Sequence, residues 1–161
     1  MNNNIIHTID TVKDADALIE IISTGAVFPL VVTGSSMLPF LREERDTVCL
    51  QKPDKLKKGQ IVFFKNRMGG FTLHRIRKIR RDGRLLINGD AQAWCEIISP
   101  DAVIATVVCI IKGDRRILPD AFSTKLLSFL WYPTRSIRPL IWKTYGVICK
   151  IFKKICPSVN I

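Results

Sequence analysis

Short apolar runs alternate with glycine-containing turns through the middle of the chain. The runs are rich in β-branched and aromatic residues, and six are predicted to be strands: residues 27–33, 47–51, 60–65, 71–79, 85–88 and 102–112. Short strands at this spacing are typical of an all-β barrel or a coiled sheet. We therefore predict one mainly β domain over residues 27–118.

The segments on either side of this domain have helical periodicity. Residues 11–24 repeat apolar side chains every three or four positions and end before Gly25, a residue type that commonly terminates helices. In the tail, six apolar residues fall on one helical face: Ile137, Ile141, Tyr145, Ile148, Phe152 and Ile155. The pattern predicts an N-terminal arm and helix over residues 1–26 and an amphipathic helical tail over residues 119–161.

Positive charge is concentrated in this tail. The chain has a net charge of +11, and residues 115–161 carry nine Lys or Arg against one acid, Asp120. Four aromatic residues of the type found at membrane interfaces accompany the cations: Trp131, Tyr132, Trp142 and Tyr145. We expect residues 124–156 to lie on an anionic membrane surface, with packing against the β domain as the alternative.

Nucleic acid is not an expected partner. Single-stranded nucleic acid is bound by cations interleaved with aromatic side chains on which the bases stack. Arg75, Arg77, Arg80 and Arg81 alternate with apolar residues, and no such aromatic pattern accompanies them. We assign these arginines to a solvated strand face and its turn.

The five cysteines indicate neither a disulfide framework nor a metal site. Their number is odd and no two have C-x-x-C spacing, so we expect no metal, no cofactor and a reducing compartment. The N-terminus lacks the charged and apolar regions of a secretory signal. No apolar stretch reaches the roughly 18 residues of a membrane span. The expected location is cytoplasmic and peripheral at the membrane.

The segment Gly34–Pro39, which follows the first strand, is the strongest candidate for chemistry. Gly34 allows a sharp turn, and Pro39 prevents a helix from starting there. Ser36 would then be held at a strand end, where its hydroxyl needs a neighbouring base to act as a nucleophile. The chain has two histidines, and only His74 lies in a strand-like run, so we expect the fold to bring Ser36 and His74 together.

Five sequence blocks in order resemble the signal peptidase and LexA-type serine peptidases (the S24/S26 peptidases). The blocks are Gly34–Pro39, Arg45–Val48, Lys58–Phe64, Leu73–Ile76 and Gly89–Ala91. Arg45 stands where that superfamily most often has glycine, and Gln60 where signal peptidases usually have an acid. The H-R-I sequence at His74 is similar to signal peptidases that use histidine rather than lysine as the base.

The resemblance implies a LexA- or signal-peptidase-like coiled β-sheet barrel that acts as a serine endopeptidase. Ser36 would be the nucleophile and His74 the general base. Asp90 or Glu96 would orient His74, with Asp90 slightly preferred. The oxyanion hole would use the backbone N–H of Ser36 together with Ser35, since Gly34 lacks the hydroxyl that some relatives place there.

By the same resemblance, the substrate is an extended leader or signal-like peptide with small residues before the scissile bond. Two other functions stay open at this point. The chain could be a catalytically inactive membrane- or nucleic-acid-associated module of the same fold. It could also be a self-cleaving LexA-like regulator, although one helix over residues 11–24 is too little for the DNA-binding domain that precedes the peptidase in such regulators.

Overall fold

The computed structural model describes residues 12–119, 122–138, 140–141 and 143–144, with side chains from residue 16 in the first helix and from residue 126 in the second. The helices are α1 (Val12–Ser23) and α2 (Phe122–Trp131), and short 3-10 turns span Pro100–Ala102 and Tyr132–Ile137. The strands are β1 (Phe28–Val31), β2 (Asp46–Gln51), β3 (Ile61–Lys65), β4 (Phe71–Ile79), β5 (Leu85–Asn88), β6 (Glu96–Ile98), β7 (Val103–Lys112) and β8 (Arg115–Ile117).

All eight strands belong to one antiparallel sheet. Its order is β1-β2-β7-β3-β4-β5-β6, and β8 pairs with β7 off this path. In the register between β3 and β4, Val62 lies opposite His74. The predicted mainly β fold is therefore confirmed, with α1 as its N-terminal helix.

The sheet buries apolar side chains on both faces. Ile61 and Phe63 of β3 belong to one core cluster, which Leu18 and Ile22 of α1 join. The alternate residues Val62 and Phe64 belong to a second cluster. Because successive side chains of a strand point to opposite faces, β3 separates two cores. The run of four buried residues in β3 is the pattern expected of such a strand.

Two strands were not predicted from the sequence. β6 pairs with β5, and β8 forms a hairpin with β7 around the turn at Gly113. Each is three residues long, which is too short for a period-two pattern to stand out. The six predicted strands are all present, with ends within two residues of the predicted ones.

Residues 126–138 pack against the sheet through hydrogen bonds to the segment after β5. The Trp131 indole N–H donates to the carbonyl of Asp90 at 2.6 Å. Arg138, which is completely buried, donates through Nη1 to the Gln92 carbonyl at 2.7 Å and to Asn88 Oδ1 at 3.1 Å. Its Nη2 donates to the Trp131 carbonyl at 3.0 Å. This part of the tail therefore packs against the β domain.

The rest of the predicted tail face, from Tyr145 onward, lies outside the described residues, as do residues 1–11 with His7. The extension of the tail and the three domain boundaries stay predictions. Among the described helices, none is both long enough and apolar enough to cross a membrane.

Replacing Arg138 tests whether this packing stabilises the domain. Arg138→Ala removes the buried donors and leaves the Gln92 and Asn88 oxygens without them, so we expect the free energy of unfolding to fall by about 3 kcal/mol. Arg135→Ala, three residues earlier and exposed, should cost less than about 1 kcal/mol. Urea unfolding measures both. Equal effects of the two substitutions would show that residues 126–138 contribute no specific stability.

Candidate active site

The turn that carries Ser36 is fixed at both ends. Gly34 has φ +78°, a conformation that strains residues with a side chain, and its N–H donates to Glu43 Oε1 at 2.7 Å. Met37 is buried in the larger core cluster, and its carbonyl accepts the N–H of Leu41 at 3.0 Å. Ser36 is thereby left half-buried between two anchored neighbours.

The turn also packs directly on the segment Gly89–Ala91. The Ala91 N–H donates to the Ser36 carbonyl at 2.8 Å. A Cβ at position 89 would lie 2.7 Å from that same carbonyl oxygen, so only glycine allows the two backbones to approach this closely. The two sequence blocks, which lie more than fifty residues apart, thus form one structural unit around Ser36.

His74 is buried in the centre of β4, with 2% of its surface exposed. The Phe64 ring lies 5.6 Å from its imidazole, centroid to centroid. Neither ring nitrogen has a hydrogen-bond partner among the described residues. Burial lowers the pKa of His74 to about 4, against a smaller opposing effect of the Asp90 charge. The imidazole is therefore neutral at physiological pH and can accept a proton.

The two candidate acids have different surroundings. Asp90 is completely buried, and its carboxylate forms ion pairs with Arg75 Nη2 at 2.7 Å and with Arg77 Nη2 at 2.5 Å. Glu96 is 39% exposed and places Oε1 3.6 Å from His74 Nδ1. That distance is within ion-pair range but too long for a hydrogen bond. Glu96 therefore lies within ion-pair range of the imidazole, while Asp90 acts on it through its charge, and the orienting role of either acid stays a prediction.

Ser36, His74 and Glu96 line one cleft with a volume of about 460 Å³. The cleft runs from the end of β1, at Val31, to the tip of the β3–β4 hairpin, at Met68. β1 is the last strand on one side of the sheet order, and its residues Leu30 and Val31 line the cleft. Three of the four predicted catalytic residues thus line the same cleft, with no hydrogen bond between Ser36 and His74, whereas Asp90 is not among the cleft residues.

The predicted oxyanion hole lies on the same turn. Among the described residues, the backbone N–H groups of Ser35 and Ser36 have no hydrogen-bond acceptor, whereas the Ser35 carbonyl accepts the N–H of Leu38 at 3.2 Å. Free N–H groups beside a nucleophile are suited to binding a developing oxyanion. The oxyanion role of Ser35 and Ser36 stays a prediction.

The predicted solvated position of Arg75 and Arg77 is wrong. Arg75 is 2% exposed, and the Arg77 side chain is 8% exposed. Arg75 also donates to the Gly59 carbonyl at 3.0 Å, and its guanidinium lies over the Phe40 ring. The available signal was the aspartate at position 90, in the Gly89–Ala91 turn, because an aspartate that is buried needs cationic partners.

No group of histidine, cysteine or acidic side chains in the described part of the chain could hold a metal ion. Cys49, Cys95 and Cys109 are free thiols. The cleft contains the hydroxyl of Ser36, the neutral imidazole of His74 and the carboxylate of Glu96.

Comparison with known proteins identifies the family of the chain. A family model described as Peptidase S24-like matches residues 4–108, more than half of the chain. This match spans β1 to β6, the turn with Ser36 and the strand with His74. No curated protein and no solved structure matches the chain. The matched span, which includes every residue of the candidate site, shows that the chain belongs to the Peptidase S24-like family.

Proposed function

We propose that the protein is a serine endopeptidase in which Ser36 is the nucleophile, His74 the general base and Glu96 the residue that orients His74. Membership of the Peptidase S24-like family supports a serine peptidase or a LexA-like fold. The observation that carries the finer proposal is the shared cleft, in which Ser36 lies with a buried, neutral histidine and a carboxylate.

In the proposed mechanism, Ser36 Oγ attacks the peptide carbonyl while His74 takes the hydroxyl proton. The backbone N–H groups of Ser35 and Ser36 stabilise the oxyanion. His74 then donates its proton to the leaving amine, and water hydrolyses the acyl-enzyme by the same steps in reverse order. Glu96 stabilises the imidazolium that forms in each half-reaction, because its carboxylate lies 3.6 Å from Nδ1.

The shape of the cleft supports an extended peptide as the substrate. The outer edge of β1 is available for backbone pairing among the described strands, and an added peptide strand would run past Ser36. Apolar side chains such as Leu30 and Phe71 line the same cleft. By resemblance to signal peptidases, we propose that small residues precede the scissile bond.

Covalent labelling with a serine-directed fluorophosphonate tests the proposed nucleophile and base. Ser36→Ala should abolish labelling because no hydroxyl remains to attack the phosphorus. His74→Ala should slow labelling by about a hundredfold or more, the usual contribution of a general base. Ser23→Ala and His7→Ala are the matched controls and should label at the wild-type rate. Labelling that persists in Ser36→Ala would contradict the role of Ser36, and a wild-type protein that does not label would favour an inactive module.

The pH dependence of labelling reports the base. Only neutral His74 accepts the proton, and its pKa is lowered to about 4, so the labelling rate should fall on acidification with a midpoint near pH 4 rather than near pH 6.5. Labelling rates measured by quenching the reaction at fixed times, between about pH 3.5 and pH 9, give this midpoint. A rate that rises only near pH 9 would indicate an amine base and would contradict the role of His74.

Two conservative substitutions distinguish the proposed orienting role of Glu96 from the proposed structural role of Asp90. Glu96→Gln should lower the labelling rate by about tenfold, because the variant lacks the negative charge that stabilises the His74 imidazolium from 3.6 Å away. The unfolding midpoint should change little, because the Glu96 side chain is 39% exposed. Asp90→Asn should instead lower the free energy of unfolding by about 3 kcal/mol, since two buried guanidinium groups lose their charge partner. A normal labelling rate in Glu96→Gln would remove Glu96 from the mechanism.

A further inference from the structure

A second concave surface lies beside the turn that carries Ser36. This groove has a volume of about 460 Å³ and apolar walls made by Pro39, Phe40, Ile110, Ile117, Leu127 and Leu130. Pro39 and Phe40 belong to the nucleophile turn, and the two leucines belong to α2. The groove is separate from the cleft with Ser36 and His74, because the two share no lining residue.

The α2 helix presents an apolar ridge next to the groove. Four apolar residues lie on one broad side of this helix and are between 43% and 74% exposed: Leu126, Leu127, Phe129 and Leu130. The opposite side of the helix carries Ser128, which is buried and accepts a hydrogen bond from Arg77 Nη1 at 3.2 Å. The ridge is therefore held outward by contacts that fix the helix on the sheet.

Cations flank the groove and the ridge. A polar recess that shares Pro39 and Lys112 with the groove is also lined by Arg42 and Arg45, which are exposed and form no ion pair among the described residues. The single acid of that recess, Asp46, is already paired with Lys112 at 3.1 Å. On the far side of the ridge, Phe129 shares a recess with the exposed Lys58.

The charge balance of this region points to an anionic partner. Apart from the completely buried Arg138, residues 121–161 contain six Lys or Arg, namely Lys125, Arg135, Lys143, Lys150, Lys153 and Lys154, and no Asp or Glu. An exposed apolar ridge bordered by unpaired cations matches the layering of a bilayer surface, in which acyl chains lie beneath anionic headgroups. A nucleic acid would leave the leucines and Phe129 of the ridge without a role.

We propose that the groove and the ridge of α2 form a docking surface for an anionic lipid bilayer, with Leu127, Phe129 and Leu130 entering the acyl region and Arg42 and Arg45 contacting lipid phosphates. Since Pro39 and Phe40 line the groove and belong to the turn with Ser36, a docked protein has its cleft beside the membrane surface. This proposal does not depend on the chemistry of Ser36, because binding is expected of the full chain with or without a nucleophile.

Vesicle co-sedimentation of the full chain tests the docking surface. The probes are phosphatidylcholine vesicles with and without about 30% phosphatidylglycerol. We expect binding to the anionic vesicles and at least about tenfold weaker partition onto the neutral ones. Leu127→Gln with Leu130→Gln should lower partition by about tenfold or more. Both leucines are more than half exposed, so these changes should leave the unfolding midpoint close to wild type.

Two matched charge variants distinguish binding at this surface from a general effect of the protein's net charge. Arg42→Gln with Arg45→Gln should weaken anionic binding by about tenfold. Lys52→Gln with Lys55→Gln removes the same charge beyond the opposite end of β2 and should have little effect. Equal losses in both pairs, or equal binding to both vesicle types, would overturn the proposal.

The remaining outcomes identify other occupants of the surface. Wild-type binding that survives both the leucine and the arginine changes would place the contact elsewhere in the chain and overturn the proposal. If vesicles do not bind and the leucine changes convert a dimer to a monomer in analytical ultracentrifugation, the surface contacts a second copy of this chain. That result would also overturn the lipid proposal.

Discussion

The buried carboxylate of Asp90 is the group on which the arrangement of the site depends. Its two oxygens pair with Arg75 and Arg77 on β4, the strand that carries His74. Its own backbone carbonyl accepts the Trp131 indole, and the next residue, Ala91, holds the carbonyl of Ser36. One aspartate thus joins the strand with His74, the turn with Ser36 and the C-terminal segment. Burying this charge costs several kcal/mol of desolvation, which only its paired cations offset.

The environment of His74 is arranged differently from that of Asp90. Asp90 has every oxygen paired, whereas the His74 ring nitrogens have no hydrogen-bond partner among the described residues. Unsatisfied buried polar groups are costly. The Nε atoms of Arg77 and Arg138 and the side-chain oxygen of Gln92 are also unpaired among the described residues, so an unpaired imidazole is not by itself a sign of catalysis. The neutral ring does leave a nitrogen able to accept a proton, as the proposed general base requires.

The strands and the candidate site differ in how far the sequence could predict them. Six strands were predicted because their apolar runs are bounded by turn residues, and Ser36 and His74 were predicted because of their local motifs. β6 and β8 were missed because three residues carry too little periodicity. Arg75 and Arg77 were misassigned because an alternating charged residue looks the same whether its charge faces water or a buried partner. The different surroundings of Asp90 and Glu96 were not predicted because they depend on contacts across strands, which spacing along the chain does not give.

The burial of His74 also links folding to proton uptake. In the folded protein the imidazole binds a proton only near pH 4, but in the unfolded chain it does so near pH 6.5. Between these values the unfolded state holds one more proton than the folded state, so acidification favours unfolding, by up to about 3 kcal/mol from this residue alone. The contribution is complete above pH 6.5 and is lost as the pH falls toward 4. Mildly acidic surroundings would therefore weaken the fold before they protonate the histidine that the folded protein keeps neutral.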